Sequence, residues 1–261
     1  MEIIDLTDEN KELFSLCLED WSDDAREAGP TRCRWVERFE RRGLRVKLAL
    51  DDTGTVGGMI QYLPVEHSFV DGEGLYVIHC IHVHGYKQGR GNFQKRGMGT
   101  ALLAAAEEDA RELGVNGMAA WGVWLPFWMK ASWLRKHGYR KADRQGISLL
   151  VWKPFADDAL SPRWFPKSRK RPELVPGKVT VTAFVNGWCM AMNLTYERAK
   201  RAAGEFGDDV VFREIDTSER SAVTEWGISD AVFVDHKQVS GGPPPTYEKL
   251  RRLIQQRAQR L

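Results

Sequence analysis

The stretch richest in chemistry is Gln94-Lys95-Arg96-Gly97-Met98-Gly99-Thr100. Glycines at alternate positions let a backbone come close to a ligand. Beyond them Leu102, Leu103, Ala106, Ala110 and Leu113 form one stripe of a helix, with Glu107, Glu108, Asp109, Arg111 and Glu112 off it. The N–H groups opening that helix, its dipole, and the charges of Lys95 and Arg96 suit a pyrophosphate or another compact anion. A plain glycine turn before a helix explains the same residues. Two familiar phosphate loops do not fit. There is no Gly-x-x-x-x-Gly-Lys-Ser/Thr, and Gly97-Met98-Gly99 lacks the third glycine of a dinucleotide fingerprint.

Three further groups carry reactive side chains. His79, Cys80, His82 and His84 crowd one stretch, where alternation predicts Cys80, His82 and His84 on one strand face and His79 on the other. Three ligands at every second residue of one strand seldom converge on one ion, so no metal is expected. A general base at His82 or His79 fits better, because imidazole titrates near neutral pH; histidines that only pack fit equally. Cys189 follows Asn186-Gly187-Trp188 and opens a predicted helix, where the dipole favours a thiolate; a buried, idle cysteine is the plainer alternative. Trp121, Trp124, Trp128 and Trp133 are four of the ten tryptophans. They could wall a pocket for an apolar or cationic acceptor, although core packing accounts for at least two of them.

These groups need elements to position them. A helix is predicted from an N-cap at Thr7, with Leu13, Phe14, Cys17, Leu18 and Trp21 on one face, and a shorter one after Pro30. Strands follow at 44–50 and 56–65 around the turn Asp51-Asp52-Thr53-Gly54, then at 75–84 before a glycine-rich loop, 85–97. After the helix come a strand at 115–123, a helix at 127–137 and strands at 139–143 and 147–152. Five prolines between Pro154 and Pro176, with Arg163, Lys167, Arg169, Lys170 and Arg171, mark a basic linker. The remainder reads β-α-β-α-β-β-α, from a strand at 178–185 to a helix after Thr246.

Composition narrows the function classes. Lys plus Arg number 38 against 36 Asp plus Glu, and this near balance argues against a nucleic-acid binder. Four scattered cysteines make no disulfide framework, no run of apolar residues spans a membrane, and the N-terminus is no secretory signal. A soluble protein of a reducing compartment, the cytoplasm, is expected.

Gln94-x-x-Gly97-x-Gly99, set between a strand and an amphipathic helix, resembles the acetyl-CoA pyrophosphate loop of the GCN5-related N-acetyltransferases (GNAT family). The element order up to residue 153 agrees, and Lys136-His137-Gly138-Tyr139 resembles the close of that family's next helix. The resemblance implies a mixed α/β (α+β) class: a GNAT-type mixed sheet with flanking helices over 1–153, a linker over 154–177, and a smaller domain over 178–261. It further implies acetyl-CoA as co-substrate, held by the backbone of Ile81, His82 and Val83 and by Gln94, Lys95, Arg96, Gly97, Met98, Gly99 and Thr100. The acceptor would be an amine of a small molecule or peptide, with no nucleic acid or membrane involved and room for a homodimer. The tyrosine that often serves this family as general acid is Leu134 here.

The second domain's order and its Trp188-Cys189 resemble a thioredoxin-like fold, and the pairing of the two domains resembles the YoaP-type fusion family. The resolving cysteine is replaced by Met192, and Ser229-Asp230-Ala231 stands where a cis-proline is expected. Two other functions stay open at this point: a thiol-dependent redox or binding protein centred on Cys189, and a non-catalytic acetyl-CoA sensor.

Overall fold

A computed structural model describes residues 1–124, 129–168, 170–239 and 243–261. The chain divides into two compact units, one of Met1–Trp21 with Val36–Phe165, the other of Ser22–Trp35 with Pro166–Leu261.

The first unit opens with a strand, β1 (Glu2–Asp5), which pairs antiparallel with β2 (Arg45–Leu50). Helix α1 (Asp8–Ser15) begins at Thr7, whose side chain and that of Asn10 form a reciprocal cap. It is shorter than its apolar stripe suggests: Cys17 and Leu18 have positive φ, at 57° and 63°, so the chain turns off the helix before Trp21. Helix α2 (Asp23–Glu40), whose residues up to Trp35 belong to the second unit and from Val36 to the first, is longer than expected and carries Pro30 inside it. Buried Ala25, Ala28, Trp35, Val36 and Phe39 favour the helix on both sides of the proline, against the hydrogen bond it forgoes. Strand β3 (Val56–Pro64) returns beside β2; a two-residue β4 (Val70–Asp71) leads to β5 (Leu75–Val83). Helix α3 (Met98–Glu112), β6 (Gly117–Val123), α4 (Ala131–Lys136), β7 (Arg140–Gln145) and β8 (Ser148–Pro154) follow. The start expected for α4, at Phe127, lies outside the described residues. Inside the proline-rich segment, β9 (Arg163–Trp164) pairs with β4.

The seven-stranded sheet runs β1-β2-β3-β5-β6-β8-β7, and only β5 and β6 are parallel neighbours. It is a mixed sheet with flanking helices. Leu102, Leu103, Ala106 and Ala110 of α3 form one core with Ile60, Tyr62, Tyr76, Ile78, Met118, Ala120 and Val151 of the sheet. Polar ties fix α3 on either side. Asp109 accepts from the Tyr62 hydroxyl at 2.6 Å and pairs with Arg45 and, at 3.4 Å, with Lys47. Glu107 meets Lys153 of β8 at 2.7 Å.

In the second unit, β10 (Val179–Val185), α5 (Met190–Gly204), β11 (Val210–Asp216), α6 (Arg220–Trp226), β12 (Ala231–Val234), β13 (Lys237–Gln238) and α7 (Tyr247–Ala258) follow the expected order. The sheet runs β11-β10-β12-β13, with β10 and β11 parallel and the other pairs antiparallel. Val181, Ala183, Tyr196, Ala199, Val232, Leu250 and Ile254 centre its core.

Candidate active site

The parallel pair β5–β6 opens the site. Their ladder runs from Leu75↔Gly117 to Ile78↔Ala120 and stops there, although both strands continue. Past that point β5 stays paired with β3, through Ile60↔Ile81, Met59↔His82 and Gly58↔Val83. Among the described residues the β5–β6 ladder thus does not extend along Ile81, His82 and Val83. One side chain bridges the opening: the Trp121 indole N–H donates to the His79 carbonyl at 2.8 Å.

A β-bulge alters the predicted faces of β5. Tyr62 pairs with Ile78 and Gln61 with Cys80, so His79 is an extra residue. Ile78 and Ile81, three positions apart, consequently pack in the same core with α3. His79 and His82 both turn to the face away from α3, where strict alternation predicted opposite faces. His79 is 2% exposed, its Nε2 lies 3.0 Å from the Ser68 hydroxyl, and burial pushes its imidazole down to about 3. That makes it a weak base. His82 is partly exposed.

His84 is wholly buried and holds the loop that follows. Its Nδ1 lies 2.7 Å from the Gly91 carbonyl, and its Nε2 takes the Trp21 indole N–H at 3.3 Å. A carbonyl can only accept and an indole N–H can only donate, so the ring is the neutral Nδ1–H tautomer. Phe93 N–H donates to the His84 carbonyl at 2.9 Å, and the Phe93 ring lies on Gly57. A Cβ at Gly57 would stand 2.4 Å from that ring. Only glycine permits this approach, and it anchors the loop base against β3.

The loop then reaches the start of α3 through two left-handed residues, Lys95 (φ 63°) and Gly97 (φ 86°), the latter at the N-cap. Gln94, Lys95, Arg96 and Gly97 are exposed. The first turn of α3 carries no acidic residue and no side chain caps it, and the position a Gly97 Cβ would take has no atom within 4 Å. Open space and the N–H groups of an uncapped first turn thus meet at one helix end, just after Lys95 and Arg96 in the chain; the Arg96 guanidinium lies over the Phe93 ring at 5.5 Å. Alongside, the Thr100 hydroxyl lies 3.2 Å from His137 Nε2, and the Trp133 ring comes within 3.5 Å of where a Gly99 Cβ would stand. In the sequence His137 stands only as a helix-closing residue; nothing in its spacing signals the contact with Thr100. Leu134, in the position of the family's frequent tyrosine, is buried in the α3 core.

The tryptophans do separate things. Trp121 bridges the strands, Trp133 covers the α3 start, Trp124 is 61% exposed, and Trp128 lies outside the described residues. Among the described residues no group of three His, Cys, Asp or Glu is arranged to hold a metal, and no helix is long and apolar enough to cross a membrane.

In the second unit Cys189 is the N-cap of α5, with partial exposure. Asn186 shapes the turn before it, accepting from Trp188 N–H at 3.1 Å and donating to Asp230 at 3.0 Å. Burial pushes the Asp230 carboxyl up to about 6, against the pull of its hydrogen bonds with Ser229 and Asn186.

No curated protein matches this chain in sequence. Similar solved structures include the PaiA N-acetyltransferase of Thermoplasma acidophilum with coenzyme A, at 16% identity and TM-score 0.44 over 59% of this chain and 98% of that one. The GNAT protein YhbS of Escherichia coli with CoA is 15% identical, TM-score 0.45, over 62% and 88%. A ribosomal-protein-alanine N-acetyltransferase of Brucella melitensis is 20% identical, TM-score 0.43, over 59% and 100%. The model of the acetyltransferase (GNAT) family matches residues 6–126, and this match supports a GNAT acetyltransferase domain in the N-terminal part of the chain.

Proposed function

We propose that the chain is an acetyl-CoA-dependent N-acetyltransferase acting on an amine of a small molecule or peptide. The observation that carries this reading is the open, uncapped start of α3, preceded in the chain by Lys95 and Arg96, beside a parallel strand pair whose ladder ends at Ile78. The residues present fit a pyrophosphate: the Gly97–Thr100 backbone N–H groups, with Gln94, Lys95 and Arg96, would hold it. Main-chain groups of Ile81, His82 and Val83, beyond the end of the β5–β6 ladder, would align the pantetheine arm, and an N–H there would polarise the carbonyl. Acetyl-CoA supplies the acyl thioester. His82 is favoured over His79 to take the proton from the amine, because burial makes His79 a poor base and keeps it from an acceptor.

The division into 1–153, a linker over 154–177 and 178–261 remains our reading of the domains. The strand order β11-β10-β12-β13 supports a thioredoxin-like second domain, with Cys189 as its candidate thiol.

The test is calorimetric and chemical. Acetyl-CoA is expected to raise the Tm of the protein, Gly97→Trp to abolish the shift, and at least one amine in a panel of amino acids, polyamines, aminoglycosides and peptides to elicit free thiol. No Tm shift at saturating acetyl-CoA overturns the reading. A shift without thiol release for any amine favours a non-catalytic sensor.

A further inference from the structure

We propose that His137 is a positioning residue that takes up a proton when the phosphate end of the co-substrate binds, and thereby turns the Thr100 hydroxyl toward it. This rests on the acetyl-CoA reading above. His137 closes α4, and Thr100 sits in the first turn of α3. The His137 Nδ1 lies 2.9 Å from the Trp133 carbonyl, which can only accept, so that nitrogen carries a hydrogen in every state of this geometry. The remaining nitrogen, Nε2, faces the Thr100 hydroxyl at 3.2 Å.

Two arrangements follow, and each fixes where the single hydroxyl proton points. With a neutral ring, Nε2 is bare and Thr100 spends its proton on it. The hydroxyl then offers only lone pairs to an anion at the helix start, and two acceptors repel. With an imidazolium, Nε2–H donates to Oγ1, and the hydroxyl proton is released to point at the anion. The charged ring also adds a cation at that place, on the scale of a charge-assisted hydrogen bond. A bound phosphate therefore favours the protonated ring, and by linkage the protonated ring favours the phosphate.

The charges around His137 come from several elements. Lys153 of β8 donates to its carbonyl at 3.2 Å and is itself paired with Glu107 of α3. Arg135 and Lys136 lie on α4 itself, and the Trp133 ring lies tilted by 43° to the imidazole at a centroid distance of 4.2 Å. A bound anion adds negative charge beside these groups, which favours a charged ring.

The experiment titrates acetyl-CoA into the full-length protein near neutral pH, in two buffers of different ionisation enthalpy. Wild type is expected to take up more protons than His137→Gln; the ligand's own phosphate contributes equally to both, so the difference isolates the ring. The variant is also expected to bind about tenfold more weakly. As a check needing no variant, side-chain nitrogen NMR of wild type should show His137 moving from the Nδ1–H tautomer to imidazolium on saturation. Equal proton uptake by the two proteins, or a ring that stays neutral when saturated, overturns the inference while leaving acetyl-CoA binding intact. Absence of any binding sinks the acetyl-CoA reading and this inference with it.

Discussion

At the scale of single residues, the site is set by what is missing as much as by what is present. Gly57 has no side chain, and the Phe93 ring occupies the place where one would be. The ring is a stiff object wedged between β3 and the loop base, so a methyl group at Gly57 cannot be absorbed by a swinging chain end. Gly57→Ala is expected to cost about 1–3 kcal/mol of stability through overpacking. Phe93→Ala removes the obstacle at its own cost. Denaturant titration of the double variant should show a loss at least about 1 kcal/mol smaller than the sum of the two single losses. Simple additivity would mean that the two residues do not hold the loop base together. His84 follows the same logic with polar groups: each ring nitrogen is matched to one partner of fixed hydrogen-bonding sense, which makes it a brace for the loop.

At the scale of elements, the loop from Gly85 to Asn92 has neither helix nor strand and carries three glycines, and what restrains it is distant in sequence. Trp21 reaches it through the hydrogen bond to His84, lies against Gly89, and meets the Tyr86 ring edge-on at 6.0 Å; Asp20 holds Arg90 at 3.0 Å. Trp21→Phe keeps an aromatic ring, smaller than the indole, but deletes the N–H. Losing one such bond is worth about 1 kcal/mol, so tryptic cleavage at Lys87 or Arg90 should become about fivefold faster under native conditions. An unchanged rate would show that the hydrogen bond does not restrain the loop. The same distances explain what was legible in the sequence. The β2–β3 hairpin, the alternation of its strands and the stripe of α3 are local patterns, and they appear where expected. The turn at Cys17 and Leu18, the run of α2 through Pro30 and the short ribbon of β4 with β9 are decided by tertiary packing that overrides local preference. The bulge at His79 is likewise invisible to a two-residue period, and it decides which face the histidines occupy. The glycine loop reads as a candidate anion site because its chemistry is contiguous, whereas the Thr100–His137 contact spans two helices.

At the scale of the whole molecule, one buried carboxylate in each unit responds to pH with opposite sign. Burial pushes Asp109 of the first unit up, but hydrogen bonds from Arg45 and Tyr62 and the charges of Arg45 and Lys47 outweigh it and hold the carboxyl below its ordinary range. The folded state thus binds this proton less tightly than the unfolded chain. The stabilisation is complete above about pH 4 and is lost as pH falls through the folded-state value. Asp230 of the second unit is pushed up to about 6 by burial, against the hydrogen bonds of Ser229 and Asn186 that stabilise its charge. Here the folded state binds the proton more tightly, so stability falls as pH rises from about 4 to 6 and is flat above, a loss of about 1–3 kcal/mol. Asp230→Asn is therefore expected to raise the second unit's Tm at neutral pH and to leave it unchanged below about pH 4. Asp109→Asn should lower the first unit's Tm at neutral pH, because Arg45 and Lys47 lose the carboxylate that pairs with them, and the deficit should shrink on acidification. Scanning calorimetry of both variants from acid to neutral pH reads the two signs directly. If both variants shift one shared transition by the same pH profile, neither carboxylate has the environment described for it.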